Sequence, residues 1–285
     1  MVWDPSARRV RSMLFAPASE PRKVAATGRF GADLVVLDLE DAVADARKDD
    51  ARAAAAEHLR GTSRTGPVAV RVNAVSTPWF EDDLAAVAAA GADAVVVPKV
   101  EDPDLVAHVR SVVGAVPVVA LLETATGVLD AAQVCRSGRP DLVVVGTGDL
   151  AAELDITLTP DADELLHARS HVVLACRAAG LPAPLDGPFL ALDAPDDLAR
   201  ASRASRALGF QGRVVVHPPQ LTQVHAAYGE PDLELQRRIV REFEAAQAEG
   251  LASIRVGEIF VDYPTYHTAL RRIAAEDTTE STRNP

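Results

Sequence analysis

Short runs of uninterrupted apolar residues alternate along this chain with longer segments whose apolar positions recur at helical spacing. The runs predict strands at residues 13–17, 34–39, 68–72, 94–98, 117–122, 142–145, 183–185 and 214–216. Most lack the apolar–polar alternation of a half-exposed strand, as befits strands covered on both faces. Between them the spacing predicts helices over 44–59, 79–90, 103–113, 128–136, 163–179 and 196–208. Thr77 and Pro78 read as a cap and first helical position, and Gly91, Gly138, Gly180 and Gly209 stand where a helix C-cap glycine belongs. A strand-then-helix unit repeated in this way predicts an α/β fold, a (β/α)8 TIM barrel over residues 1–228. A doubly wound open sheet shares the alternation, but no glycine fingerprint follows the first strand. Residues 229–275 lie beyond the eighth unit and are expected to form a C-terminal extension or helical lid, with one helix over 233–248. The polar stretch 276–285 is expected to be disordered.

Composition narrows the function classes. The 285 residues carry 29 Lys and Arg against 41 Asp and Glu, a formal charge of −12, with no basic block, so nucleic acid is not an expected partner. The two cysteines, Cys135 and Cys176, make no disulfide framework and suit a reducing compartment. No apolar stretch is long enough to span a membrane and none resembles a signal peptide; a cytoplasmic protein is expected.

In a barrel of this kind the active site forms where strands end. The predicted strand ends deliver Asp38, Glu40 and Asp41, then Arg71, Lys99, Glu123, Asp149, Asp186 and His217. Glu123 and Asp149 come from neighbouring units, beside the Gly146-Thr147-Gly148 turn. Two hard carboxylates suit Mg²⁺, which fills its remaining positions with water and substrate oxygens; capping or salt-bridge roles are the alternative. No His-x-x-x-His or Cys pair is read as a zinc alternative. Arg71 can hold a substrate carboxylate or pair with Glu40 or Asp41. Lys99 ends a strand, where a Schiff-base aldolase places its lysine, or serves there as an ion-pair partner. His217, before two prolines, suits a structural turn as well as acid–base chemistry.

The motifs SMLFAPAS, LVVLDLEDAV with Lys48 downstream, VRVN, VVVPKVE, ALLETATGV, VVVGTGDLA and VVVHPPQL occur in one order over residues 12–272. Together they resemble the citrate lyase beta-subunit-like proteins of the HpcH/HpaI aldolase superfamily. The resemblance implies a Mg²⁺-dependent carbon–carbon lyase on short β-hydroxyacyl-CoA thioesters such as malyl-CoA or citramalyl-CoA, releasing acetyl-CoA and an α-keto acid. It implies a homotrimer or hexamer. It makes Glu123 and Asp149 the metal ligands and Arg71 the residue that polarises substrate oxygens. Asp38, Glu40 and Asp41 match an acidic motif near the metal's waters, and Lys48 a lysine that follows it. Asp262, in IFVDYP, matches a proton-carrying aspartate on a lid that closes over a neighbouring subunit. The resemblance favours metal-assisted chemistry over an imine at Lys99. A class II aldolase acting on free hydroxy-oxo-acids, or a non-catalytic thioester-binding subunit, are the alternative readings. The chain departs from the family pattern at Gly148, where many relatives carry Glu, and at HPPQL.

Overall fold

The strands pair in chain order, all parallel, and the eighth pairs with the first, so the sheet closes on itself. The computed structural model describes residues 3–5, 9–61, 64–229 and 232–283, with side chains described as far as 274. The barrel strands are β1 Ser12–Pro17, β2 Leu34–Asp38, β3 Val68–Arg71, β4 Ala94–Val97, β5 Val118–Leu122, β6 Leu142–Val145, β7 Leu185–Asp186 and β8 Gly212–Val215. Around them run α1 Pro21–Ala26, α2 Lys48–Arg60, α3 Phe80–Ala90, α4 Pro103–Val113, α5 Ala125–Leu129, α6 Ala131–Gln133, α7 Thr147–Glu153, α8 Leu166–Ala178, α9 Pro195–Leu208 and α10 Leu221–Ala227. The (β/α)8 architecture is the one the alternating pattern implies.

Two apolar layers account for the continuous runs. Val35, Leu37, Val70, Val95 and Val97 face outward onto the helices, packing with Leu84, Val106 and Val172. Met13, Leu34, Val36, Ala69, Val96, Val119, Leu121 and Val144 fill the barrel interior. Each strand is therefore buried on both faces, and alternate residues serve the two layers.

Local differences from the sequence reading have identifiable causes. The helix expected over 128–136 is broken into α5, α6 and a π-helical turn, Val134–Gly138. Gly138 is not the left-handed residue there; Arg139 takes that role at φ 48°. A Cβ on Gly138 would lie 3.2 Å from both Pro103 Cα and the Val106 side chain, so this glycine allows close approach to α4. Gly91, Gly180 and Gly209 do adopt positive φ. The Thr77 hydroxyl donates to the Ala74 carbonyl rather than capping α3.

The chain divides into two compact units, the barrel to Tyr228 and a second unit from Gly229 onward. The second unit holds α11 Leu233–Ala248, an antiparallel hairpin of β9 Ile254–Val256 and β10 Ile259–Val261, and α12 Tyr263–Arg283. Gly257, at φ 61°, makes the hairpin turn. The apolar residues expected in a helical lid are thus partly in a hairpin, packed through Val256 and Val261 on Ile239 and Phe243. The backbone of α12 is helical as far as Arg283, over most of the stretch expected to be disordered; Asn284 and Pro285 lie outside the described residues. Among the described residues no helix is long and apolar enough to cross a membrane.

Candidate active site

The period of two that builds the barrel interior also builds the site. Leu34 and Val36 point inward, so Asp38 does too; Ala69 leads to Arg71, Val119 and Leu121 to Glu123, and Leu142 and Val144 to Gly146. Below, this face is a packed core; at the carboxyl ends it becomes the lining of a cavity of about 470 Å³. One side of the cavity is polar, with Asp38, Asp41, Arg71, Glu123 and Asp149. The other is apolar, with Phe15, Leu121, Val144, Leu190, Val214 and Val216.

Arg71 is the hub of the polar side. It stands opposite Asp38 in the β2–β3 register and grips it with two hydrogen bonds, Nε to Oδ1 at 2.7 Å and Nη2 to Oδ2 at 2.6 Å. Asp38 also accepts from the backbone N–H groups of Glu40 and Ala42, so both its oxygens are doubly occupied. The Arg71 Nη1 edge reaches Asp41 Oδ2 at 3.3 Å and lies 2.9 Å from Glu40 Oε2. That second approach is an ion pair without hydrogen-bond geometry, which leaves Glu40 Oε2 buried and without a donor. Phe15 stacks against the guanidinium at 5.2 Å. Burial works against the Arg71 charge, but Asp38, Glu40 and Asp41 outweigh it and hold the cation firmly protonated.

Glu123 sits almost fully buried at the end of β5. Burial first, then the charges of Asp149 and Glu40, push its carboxyl up to about 8. One glycine shapes its surroundings. A Cβ on Gly146 would collide with the Glu123 Cβ and carboxylate, so only glycine fits there. Asp149 rises from the first turn of α7, where the helix N-terminus favours a negative charge.

Lys99 ties the two halves of the acid cluster together. Its backbone N–H donates to Glu123 Oε1 at 2.9 Å, and its Nζ to Glu40 Oε1 at 2.8 Å. The first contact is made with Lys99 in the left-handed region, at φ 51°, an unfavoured conformation for a side-chain-bearing residue. Burial pulls the ammonium pKa down, but Glu40, with Asp41 and Glu123 behind it, outweighs burial and the net shift is upward. An imine-forming lysine needs the opposite shift.

The remaining candidates within the barrel do not line the cavity. Lys48 is buried beneath the β2 turn, donating to the Leu39 and Glu40 carbonyls at 2.8 and 2.7 Å, and does not line the cavity. His217 is exposed just after β8, outside the cavity lining. Asp262 belongs to the second unit, where its Oδ1 accepts from the Thr265 N–H and hydroxyl at the start of α12. Asp186 is locked under Arg169 and Arg213 in a fully buried cluster; the arginines outweigh burial and lower its pKa. A His-x-x-x-His spacing, discounted in the sequence, does exist at His167 and His171 on α8, with ring centroids 6.1 Å apart. Among the described residues no group of three or more His, Cys, Asp or Glu side chains is placed to hold a metal. Missed in the sequence were the apolar wall and the Lys99 N–H. The wall was signalled by the same alternation that places Glu123; the N–H contact depends on a backbone torsion that carries no sequence signal.

The HpcH/HpaI aldolase/citrate lyase family model matches residues 11–218. A (3S)-malyl-CoA thioesterase of Cereibacter sphaeroides is 36% identical over 247 residues, which cover 84% of this chain and 85% of the relative. The citrate lyase subunit beta of Leuconostoc mesenteroides subsp. cremoris is 31% identical over 276 residues, covering 92% and 91%. A crystal structure of CitE from Mycobacterium tuberculosis in complex with magnesium, acetoacetate and coenzyme A matches with a TM-score of 0.79 at 30% identity, covering 94% of this chain and 98% of that one.

Proposed function

We propose, from the premise that this chain belongs to the HpcH/HpaI aldolase/citrate lyase family and is a lyase-type enzyme, that it cleaves or forms a carbon–carbon bond in a short β-hydroxyacyl-CoA thioester of the malyl-CoA or citramalyl-CoA kind, with acetyl-CoA and an α-keto acid as the other side of the reaction. The observation that carries this reading is Glu123: a buried carboxyl raised to about 8 by burial and by Asp149, inside a cavity that also presents Arg71. Such a pair is electrostatically unsatisfied and fits a divalent cation, for which Gly146 leaves the Glu123 carboxylate its room. Glu123 and Asp149 would hold Mg²⁺, which supplies Lewis-acid stabilisation of negative charge developing on substrate oxygen.

The protein's own groups divide the remaining work. Arg71 binds substrate carboxylate or carbonyl oxygen, and Asp41, half-exposed and at 3.3 Å, is the partner it can exchange for substrate. Asp38, with every lone pair engaged, positions Arg71. Lys48 holds the turn that carries Glu40. Glu40 does not itself line the cavity, but its Oε2 lacks a donor and burial raises its pKa, so it would take up the substrate hydroxyl proton only as Arg71 turns from it to the substrate. Asp262 delivers a proton to the enolate carbon in a neighbouring subunit of a homotrimer or hexamer. Exposed aromatic residues beside it, Phe260 and Tyr263, support a role in contacts between subunits. The soluble partners and cytoplasmic setting expected from the sequence fit this chemistry.

The test is a screen of malyl-, citramalyl- and β-methylmalyl-CoA with and without Mg²⁺, following acetyl-CoA, free CoA and keto acid separately. Mg²⁺-dependent release of keto acid with acetyl-CoA is expected. Release of free CoA with intact hydroxy acid would make the protein a thioesterase, and turnover only of free hydroxy-oxo-acids would make it a class II aldolase.

A further inference from the structure

We propose that the apolar half of the cavity is a subsite for the alkyl chain of a 2-oxo acid longer than pyruvate, and that Gly148 is the residue that keeps it open. The proposal rests on the lyase reading above and names its substrate class. Three glycines stand around this part of the site. A Cβ on Gly146 would strike Glu123, and one on Gly187 would strike the Thr147 side chain. Those two are glycine because the protein's own packing leaves no choice. Gly148 is different. It lies in the first turn of α7, its φ is not in the left-handed region, and a Cβ built there meets no heavy atom within 4 Å. Neither backbone nor packing requires glycine at 148, and alanine forms helix better. What a side chain at 148 would enter is the cavity, which Gly148 lines beside Asp149.

The cavity that Gly148 lines has an apolar side. Leu121, Val144, Leu190 and Val214 face it, so a hydrocarbon chain is the chemistry it recognises, while the carboxylate and oxo groups of the same molecule face Arg71, Glu123 and Asp149. A second cavity of about 390 Å³ shares Pro188 and Leu190 with the first and is lined by Thr147, the neighbour of Gly148. Each CH₂ of the ligand that leaves water against this wall gains affinity.

Calorimetric titration with pyruvate, 2-oxobutyrate and 2-oxopentanoate in the presence of Mg²⁺ tests this on the full chain. Kd is expected to fall about three- to fourfold at each step, the factor that corresponds to ~0.8 kcal/mol per buried CH₂. Gly148→Leu and, independently, Leu190→Trp are expected to abolish the gradient. Gly148→Ala is expected to keep or raise Tm; a fall of several degrees would mean that the fold demands glycine, and would overturn the argument. A flat or rising Kd series in the unsubstituted protein, or a gradient that survives in both blocking variants, would also overturn it. So would a gradient that vanishes when CoA is added, since the thioester arm would then own the apolar half. Failure of every 2-oxo acid to bind with Mg²⁺ would instead bring down the lyase reading, whereas pyruvate binding without a gradient removes the chain subsite alone. If Gly148→Leu does not fold, Leu190→Trp, at an exposed position, still decides the question.

Discussion

At the scale of single residues the site is governed by how carboxylates share too few cations. Glu123 is protonated at neutral pH in the metal-free protein, because burial, Asp149 and Glu40 raise its pKa to about 8. Mg²⁺ must displace that proton, so affinity for the ion should rise with pH and level off above about 8. Titrations at pH 7 in buffers of different ionisation enthalpy should show close to one proton released per ion, and Glu123→Gln should lose both the proton and most of the affinity. The same shift has a signed effect on stability. The folded state binds this proton more tightly than the unfolded state, so the stabilisation is complete below the ordinary value of 4.5 and is lost as pH rises through about 8. Thermal melts of metal-free protein between pH 5 and 9 should show the decline, and it should shrink in Glu123→Gln. Lys99, charged and engaged by Glu40, should give no borohydride-trapped adduct with pyruvate; a mass increase mapped to Lys99 would reverse that conclusion.

Secondary-structure elements explain both what the sequence disclosed and what it hid. The strand ends were legible because alternation along a β-strand is rigid: once Val119 and Leu121 are placed in the interior, Glu123 must follow. Hydrogen-bond occupancy was not legible. Whether Asp38 acts on substrate or only holds Arg71 depends on backbone N–H groups at Glu40 and Ala42 that no residue pattern announces. The short helices α5 and α6 read as one because Asp130, which interrupts them, is an ordinary polar residue on a helical face. Two element-level substitutions are informative. Gly146→Ala should cost about 1–3 kcal/mol through overpacking and should weaken Mg²⁺ binding, because the new methyl group displaces Glu123. Asp186→Asn should cost about 3–5 kcal/mol by leaving Arg169 and Arg213 buried without their counter-charge, with the fold otherwise judged by circular dichroism and denaturant melts.

At the scale of the whole molecule the chain is a barrel followed by a second unit with its own small core. In the sequence the strand–helix rhythm stops after the eighth repeat. The hairpin was not legible there, because two three-residue strands around Gly257 are too short to show a period. Asp262 works at this scale. Within its own unit it caps α12, which is enough to account for an aspartate there. A proton-carrying role in a neighbouring subunit makes a further demand. Inactive Asp262→Asn subunits mixed with inactive Glu123→Ala subunits should recover part of the activity on exchange. Verified mixed oligomers with no recovery would leave Asp262 as a helix cap only.

The strict alternation that sets Asp38, Arg71 and Glu123 on one face also limits how this protein can change over time. A substitution in a strand alters one side chain, but inserting or deleting a single residue in β5 would rotate Glu123 into the helix layer and bring Leu122 or Thr124 to the cavity. Strand length is thus a more tightly held character than strand composition. Variation in length has to be absorbed by the connections, so lineages of this chain should differ by gaps in loops and by point replacements in strands, and hardly ever the reverse.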